Sequence, residues 1–390
     1  IVSTATRVGM GNLVGIVAAL SAGGAGALFW MWVTALLGSA TAFIEATLAQ
    51  LHKQPDPLYG GYRGGPAYYI HDWINSKRQK QGTPVSKKNL LSVLFALSGL
   101  ICWCGISQVI SNSVTSSFKN AFGIPPIYSC LFLVLLAAVI VLRKNASVRV
   151  LDLLVPIMAG IYIILTLFLI IVNFRQLPGV FARVFEEALG LRQAIAGGFG
   201  AVLMNGVKRG LFSNEAGQGS AAIAHAAAKT KEPVSEGMVA LLEPFIDTII
   251  ICMLTGMVLL TSGTWMEKYE NKFQQADMVL LAGTNNEADP AQKLAVGQHI
   301  KGEKLLPLYD GKIVIKEGKL TTPATLIHAR SFAEGVRFMQ GKALFTGELT
   351  VKKGKIELPV LKSYPITVYG KSLLHSAPLS TEAFKRGFFG

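Results

Sequence analysis

Long apolar runs, each near the length needed to cross a bilayer, constrain this chain more than any other feature. A membrane-spanning helix needs about 20 apolar residues. The 390-residue chain is 51% hydrophobic and only 15% charged, whereas an average soluble domain is roughly a quarter charged. We therefore predict an all-α polytopic membrane protein. The predicted spans cover residues 11–20, 26–50, 90–114, 127–142, 150–172, 193–228 and 234–260.

The apolar runs end near residue 262, and we predict three parts. Residues 1–262 form a transmembrane domain of seven spans, the first of them incomplete. Residues 263–376 contain Asp-Gly, Glu-Gly and Lys-Gly pairs flanked by short alternating runs, which are typical of β-hairpins. This part is predicted to be a small β-rich extracytoplasmic insert, with a helix around residues 325–339. Residues 377–390 are predicted to start the next transmembrane helix, so both chain ends are interpreted as cuts.

The formal net charge of +14 does not indicate a nucleic-acid partner, because lysines and arginines are spread over loops rather than gathered in one patch. Positive residues concentrate after the second, fourth and sixth spans. The positive-inside rule places those loops in the cytoplasm, and a long external segment is translocated regardless of its charge. We predict a multi-pass protein of the plasma (inner) membrane, in contact with lipid and with no nucleic-acid partner.

Glycine and polar residues interrupt two of the predicted spans. The first span carries Gly9, Gly11 and Asn12 at its start, and residues 209–220 interrupt the sixth. A polar patch at membrane depth is costly unless it lines a cavity. A broken helix exposes N–H groups at one new end, which attract a carboxylate, and carbonyls at the other, which attract a cation. The pattern predicts a site for an amino-acid zwitterion and a cation; the alternative is a packing kink.

The spacing of the two interruptions also points to one shared site. Five spans lie between the start of the first span and the start of the sixth. A repeat with an odd number of spans inverts its topology in the membrane. That arrangement is expected of inverted repeats, which bind substrate at their interface.

Five motifs, in the same order along the chain, point to a resemblance with a known family. They cover residues 12–16, 29–38, 43–50, 62–69 and 209–220. Together they resemble the sodium:alanine/glycine symporter family over residues 1 to about 262, with a weak return at 379–390. The resemblance implies a five-plus-five inverted-repeat transporter fold, truncated here. It also implies that Na⁺, or sometimes H⁺, drives the symport of alanine or glycine by alternating access.

The resemblance also implies substrate-binding residues. The family usually has threonine where Met10 stands, and the missing hydroxyl bears on substrate preference or coupling. Na⁺ is the expected coupling ion, but no ligand for it is assigned, because the hydroxyls of an eighth span would complete its site. The implied residues are Gly9, Met10, Gly11 and Asn12 on the first helix, Gln108 on the third, and Phe212, Ser213, Asn214 and Gly217 on the sixth.

Carboxylates inside or beside spans are functional candidates by default. Glu45 is interpreted mainly as a contact between helices. Glu215 abuts the interruption, and we expect a pair with Arg209 if its role is structural. Glu243 and Asp247 share a helix face at i, i+4. They would line a water path or, as the favoured alternative, bond the backbone near the proline between them.

Other functions remain open beside symport. The chain could be a transporter-like membrane sensor or an H⁺-coupled amino-acid carrier, and the insert could bind an extracytoplasmic ligand. We do not expect an enzyme, because no histidine or lysine is placed on a neighbouring span to activate Ser213 as a nucleophile. The histidines show no metal-site spacing in the sequence.

Overall fold

The computed structural model describes residues 10–57, 60–142, 146–191, 199–301, 304–358 and 365–389. Within those ranges the chain is mostly helical up to residue 262, and strands follow between residues 268 and 373. The helices are α1 (Met10–Gly23), α2 (Ala27–Leu51), α3 (Pro66–Lys80), α4 (Leu90–Phe122), α5 (Pro126–Leu142), α6 (Ala146–Val172), α7 (Leu177–Ala188), α8 (Phe199–Asn214), α9 (Ser220–Ala226), α10 (Pro233–Pro244), α11 (Met253–Ser262), α12 (Pro290–Lys301) and α13 (Ser376–Phe389).

Four helical stretches in the described residues are long and apolar enough to cross a membrane. They are Ala27–Leu51, Leu90–Phe122, Leu153–Val172 and Pro233–Ser262. The last of these is continuous through α10 and α11, because a π-helical segment, Phe245–Cys252, joins them. The first and fourth predicted spans correspond to the shorter helices α1 and α5, and α8 and α9 divide the sixth.

Helix α8 packs closely on α2 through two glycines one turn apart. A Cβ on Gly206 would lie 2.6 Å from the carbonyl oxygen of Ala27, and a Cβ on Gly210 would lie 2.9 Å from the Cβ of Thr34. Small residues four apart let two helix backbones approach closely in a membrane protein. The glycines therefore bring the interrupted helix against α2.

We expect Gly206→Ala to destabilise the protein by about 1–3 kcal/mol, the usual cost of overpacking a tight contact. The added methyl group meets backbone, which cannot rotate away as a side chain could. Thermal unfolding in detergent measures the effect. Gly200→Ala is the matched control on the same helix, because its Cβ would meet no atom within 4 Å. Equal melting temperatures for the two variants would contradict close packing at Gly206.

Eleven strands between residues 268 and 373 form three antiparallel sheets, which we call the β region. The strand orders are β10-β9-β13-β3, β12-β11-β5-β6 and β4-β7-β8, while a separate short pair, β1 (Gln54–Pro55) and β2 (Tyr62–Arg63), precedes α3. The strands are β3 (Lys268–Lys272), β4 (Met278–Ala282), β5 (Gly311–Lys316), β6 (Lys319–Leu320), β7 (Ala324–His328), β8 (Ser331–Phe332), β9 (Glu334–Gln340), β10 (Ala343–Leu344), β11 (Gly347–Lys352), β12 (Lys355–Glu357) and β13 (Ile366–Leu373).

The predicted helix around residues 325–339 is wrong, because that stretch forms β7, β8 and β9. Strand β7 pairs with β4, and β9 pairs with β13. Pairing with distant strands therefore decided the conformation over any local helical pattern. The helix of the β region is α12, which lies earlier in the chain.

Two apolar cores support these parts. One joins Ile16 and Leu20 of α1 with Leu28 of α2, Met257 of α11 and Leu379 of α13. The other lies inside the β region, where alternate residues such as Ile313 and Ile315 are fully buried. Helix α13 thus packs back onto α1 after the strands end.

Candidate substrate and cation site

The sixth predicted span is broken between α8 and α9. Helix α8 ends at Asn214, and α9 begins at Ser220. Three of the five intervening residues have left-handed backbone: φ is +52° at Glu215, +87° at Gly217 and +81° at Gly219. A left-handed residue just past the last turn is a common helix stop. The break leaves the last carbonyls of α8 without helical partners.

Two glutamates hold the five-residue loop of the break in place. The backbone N–H of Gly217 donates to Glu45 Oε2 of α2 at 3.1 Å. The hydroxyl of Ser220 donates to Glu215 Oε2 at 2.6 Å. The expected pair of Glu215 with Arg209 is therefore not what the structure shows, because Glu215 turns to the start of α9. Glu45 contacts the break itself and does more than join helices.

A buried carboxylate connects α1 with α8. Helix α1 runs without a break from Met10 to Gly23, so Gly11 and Asn12 lie inside the helix rather than at the expected interruption. Asp247 is 1% exposed. Its Oδ1 accepts a hydrogen bond from Asn12 Nδ2 of α1 at 2.7 Å, and its Oδ2 accepts one from Ser213 Oγ of α8, also at 2.7 Å. The hydroxyl of Thr248 donates to the same Oδ2 at 3.1 Å. Three separate parts of the chain therefore meet at one negative charge.

The backbone around Asp247 explains how this side chain reaches the site. Pro244 lacks an N–H group and disturbs the helical ladder before it. The next eight residues, Phe245–Cys252, form the π-helical segment. Such segments turn side chains to a new face and often occur at functional sites. The favoured expectation that Asp247 bonds nearby backbone missed its contacts with two other helices.

Two amide atoms in this cluster have no partner. Asn12 is 2% exposed and Asn214 is fully buried. Within the described residues, Asn12 Oδ1 and Asn214 Nδ2 make no hydrogen bond. Asn214 Oδ1, by contrast, accepts from the N–H of Ala216 at 3.0 Å. Buried polar atoms are nearly always satisfied, so these two are open to a ligand: the oxygen to a cation, the N–H group to an anion.

The structure brings together only part of the residue set implied by the resemblance. Asn12 and Ser213 share Asp247, and Asn214 follows on the same helix end. Gly217 is exposed within the break, and Phe212 is half-buried. The remaining candidates are Gly9, which lies outside the described residues, Met10 and Gly11, which are described by backbone alone, and Gln108, which is exposed on α4.

A second buried cluster includes a residue of α9, the helix that follows the break. Both ring nitrogens of His225, a residue 1% exposed, contact carboxylates: Nδ1 lies 2.7 Å from Glu236 Oε1 and Nε2 lies 3.0 Å from Glu243 Oε2. Gln50 Nε2 of α2 donates to the carbonyl of His225. This cluster joins α2, α9 and α10. Its histidine showed no sequence signal, because the carboxylate partners follow 11 and 18 residues later.

A family model matches residues 1–290, well over half of the chain. The chain belongs to the sodium:alanine symporter family. The match extends past residue 262, where the resemblance was expected to end, into strands β3 and β4. The family is named for sodium, which is the coupling ion that the resemblance predicts.

Several curated relatives share the same part of the chain. The amino-acid carrier protein AlsT of Bacillus subtilis is 40% identical over 261 residues, covering 66% of this chain and 53% of AlsT. The probable sodium/glutamine symporter GlnT of the same organism is 40% identical over 266 residues, covering 68% and 53%. The sodium/alanine symporter AgcS of Methanococcus maripaludis is 36% identical over 262 residues, covering 66% and 56%. The chain thus spans about half the length of these relatives.

Proposed function

We propose that this protein is a secondary active transporter that carries a small neutral amino acid, alanine or glycine, together with Na⁺ across the plasma membrane by alternating access. The observation that carries the proposal is the buried Asp247, which bonds to α1 and to the end of α8 at the break. Family membership and the name of AgcS support alanine. GlnT is named a probable sodium/glutamine symporter, so the choice of substrate needs its own test.

We place the coupling ion at Asp247. Na⁺ is a hard cation that prefers oxygen ligands. The cluster offers the two carboxylate oxygens, the unpartnered Oδ1 of Asn12 and the hydroxyls of Ser213 and Thr248. A carboxylate buried at membrane depth attracts a cation strongly, because its surroundings screen the charge poorly. The cluster therefore suits Na⁺ both by its negative charge and by its oxygen ligands.

The amino acid is placed at the two helix ends. Its carboxylate would lie near the unpartnered Nδ2 of Asn214 and toward the N-terminal turn of α1, whose first N–H groups have no partner within the helix itself. Its ammonium group would face the terminal carbonyls of α8. Gly217 lets a ligand approach the backbone of the break closely. Phe212, Gly9, Met10, Gly11 and Gln108 remain proposed members of this site.

The remaining architecture is inferred from the same family. Helices α1 and α8 would be the corresponding broken helices of a five-plus-five inverted repeat. Residues 263–376, which contain the β region, would be an extracytoplasmic insert. Many apolar side chains of α4, α5 and α6 are exposed, and large exposed apolar surfaces of this kind are suited to lipid.

Uptake of radiolabelled alanine into proteoliposomes, with and without an inward Na⁺ gradient, tests the proposal. We expect gradient-dependent uptake that Asn214→Ala reduces at least about tenfold, a loss equivalent to 1.4 kcal/mol of binding free energy. Asn120→Ala, at an exposed position of α4, is the matched control and should keep wild-type uptake. Uptake driven by a pH gradient alone would favour the H⁺-coupled carrier. No uptake of alanine, glycine or serine under any gradient would favour the sensor.

A further inference from the structure

A cavity of about 480 Å³ lies between the membrane helices and the β region. Ser21 of α1 and Arg209 of α8 line one side, and Asp277, Arg330 and His375 line the other. A volume of this size is typical of small-molecule sites, which occur preferentially between domains. The cavity is separate from the Asp247 cluster: Arg209 lies more than one helical turn before Asn214 on α8.

The two arginines of the cavity are unpaired. Within the described residues, neither Arg209 nor Arg330 makes an ion pair or a hydrogen bond. Other arginines of this protein find carboxylates: Arg183 contacts Glu187, and Arg386 contacts Glu267. A guanidinium group stays charged and offers five donors. Arg209 is half-buried on a membrane helix, where an arginine without a partner is costly, and Arg330 is exposed. An anion bound between them would pair with both.

Electrostatics show that the two charges act on each other. Desolvation lowers the pKa of Arg330, and the nearby charge of Arg209 lowers it further, while Asp277 acts in the opposite direction. Arg209, Arg330 and Asp277 line the same cavity and lie close enough for their charges to interact. Paired N–H donors of this kind bind carboxylates and phosphates strongly.

Arg330 lies in a turn whose backbone conformation is strained. Strands β7 and β8 are joined by a two-residue turn, in which Ala329 has φ of +49° and Arg330 has φ of +63°. Turns with two left-handed residues normally use Asn-Gly or Gly-Gly. Non-glycine residues in this region are strained and cluster at functional sites. The strain points to a function for the arginine side chain.

A metal ion is the competing occupant. Asp277, His328 and His375 offer ligand atoms within 4.8 Å of one another. Both ring nitrogens of His328 are already used, however: Nε2 accepts from the N–H of Gln274 at 3.1 Å, and Nδ1 lies 2.8 Å from Ser372 Oγ. Burial lowers the pKa of His375, whereas Asp277 raises it and Arg330 lowers it. The positive charge of Arg330 also acts against a metal cation nearby.

We propose that this cavity is a second, outer binding site for an amino acid. The carboxylate of the ligand lies between Arg209 and Arg330, and its ammonium group faces Asp277. The Oδ2 atom of Asp277 lies 3.2 Å from His375 Nε2. The proposal rests on the proposed transport of a small zwitterion, which the outer site would capture before it reaches the break in the sixth helix. The β region would then supply half of a binding site.

Equilibrium binding of radiolabelled alanine to the purified protein in Na⁺ tests this. We expect two bound alanines per chain in the wild type and one in Arg330→Gly. Glycine suits the left-handed turn, so this variant removes the charge and relieves the strain together. Ala329→Gly changes the same turn without touching the charge and should keep both sites. Asn214→Ala should retain the outer alanine and lose the inner one.

Each result separates the outer site from the proposed transport function. One alanine, lost in Asn214→Ala and unchanged in Arg330→Gly, would overturn the outer site and leave transport intact. One alanine with the opposite pattern would support the outer site and contradict binding at the break. No alanine bound to any form would overturn both. Stoichiometric Zn²⁺ binding that His375→Ala abolishes, without displacement by alanine, would overturn the amino-acid site in favour of a metal site.

Discussion

Asp247→Asn should greatly weaken the Na⁺ dependence of uptake while the protein still folds. Asparagine keeps an oxygen that can accept from Asn12 Nδ2, so the link to α1 survives. The negative charge is lost, and with it the attraction for a cation at a buried position. We expect the Na⁺ concentration that gives half-maximal uptake to rise at least about a hundredfold, which corresponds to roughly 2.7 kcal/mol. Alanine uptake measured over a range of Na⁺ concentrations gives this value.

Asp72→Asn is the control for a general charge effect. Asp72 pairs with His52, and both side chains are about one third exposed. Removing this carboxylate should leave the Na⁺ dependence unchanged, since exposed pairs contribute little. Unchanged Na⁺ dependence in Asp247→Asn would contradict the cation site. Loss of Na⁺ dependence in Asp247→Asn, with uptake still driven fully by a pH gradient, would place the proton site away from Asp247.

His225→Gln should destabilise the protein strongly. Glu243 is 5% exposed, and Glu236 is the second carboxylate on the imidazole ring. Both ring nitrogens can donate only when the imidazole is protonated, so its loss leaves two carboxylates facing each other without the positive charge between them. Breaking a buried ion pair in this way costs about 3–5 kcal/mol. Thermal unfolding in detergent measures the loss.

His52→Gln is the matched control for His225→Gln. It also removes a histidine–carboxylate pair, with His52 Nδ1 2.9 Å from Asp72 Oδ2, but this pair is partly exposed. We expect a change within about 1 kcal/mol. If both variants melt at the same temperature, the buried cluster does not hold α2, α9 and α10 together.

The interruption of the sixth span could be predicted from the sequence because its cause is local. Glycines at 217 and 219 permit left-handed backbone, and the polar neighbours disfavour a continuous helix in lipid. The hairpins of the β region could likewise be predicted from turn pairs such as Glu317-Gly318, where both residues have positive φ. Local chemistry and local backbone agree at these positions.

The role of Asp247 could not be predicted because its causes are distant. Asn12 lies 235 residues away, and Ser213 lies 34 residues away. The π-helical segment also changes which face Asp247 presents, so a regular helical period places it wrongly. The turn at Ala329 and Arg330 was missed for a related reason: it lacks the glycine or asparagine that marks such turns.

The most direct test of the account measures alanine binding to the purified protein by calorimetry in Na⁺ and in choline at equal ionic strength. We predict that binding needs Na⁺, and that Asp247→Asn binds alanine equally weakly in both salts. We expect this because the buried Asp247 would link the bound cation to α1 and α8. Alanine affinity that is the same in Na⁺ and choline for the wild-type protein would contradict the coupling at Asp247.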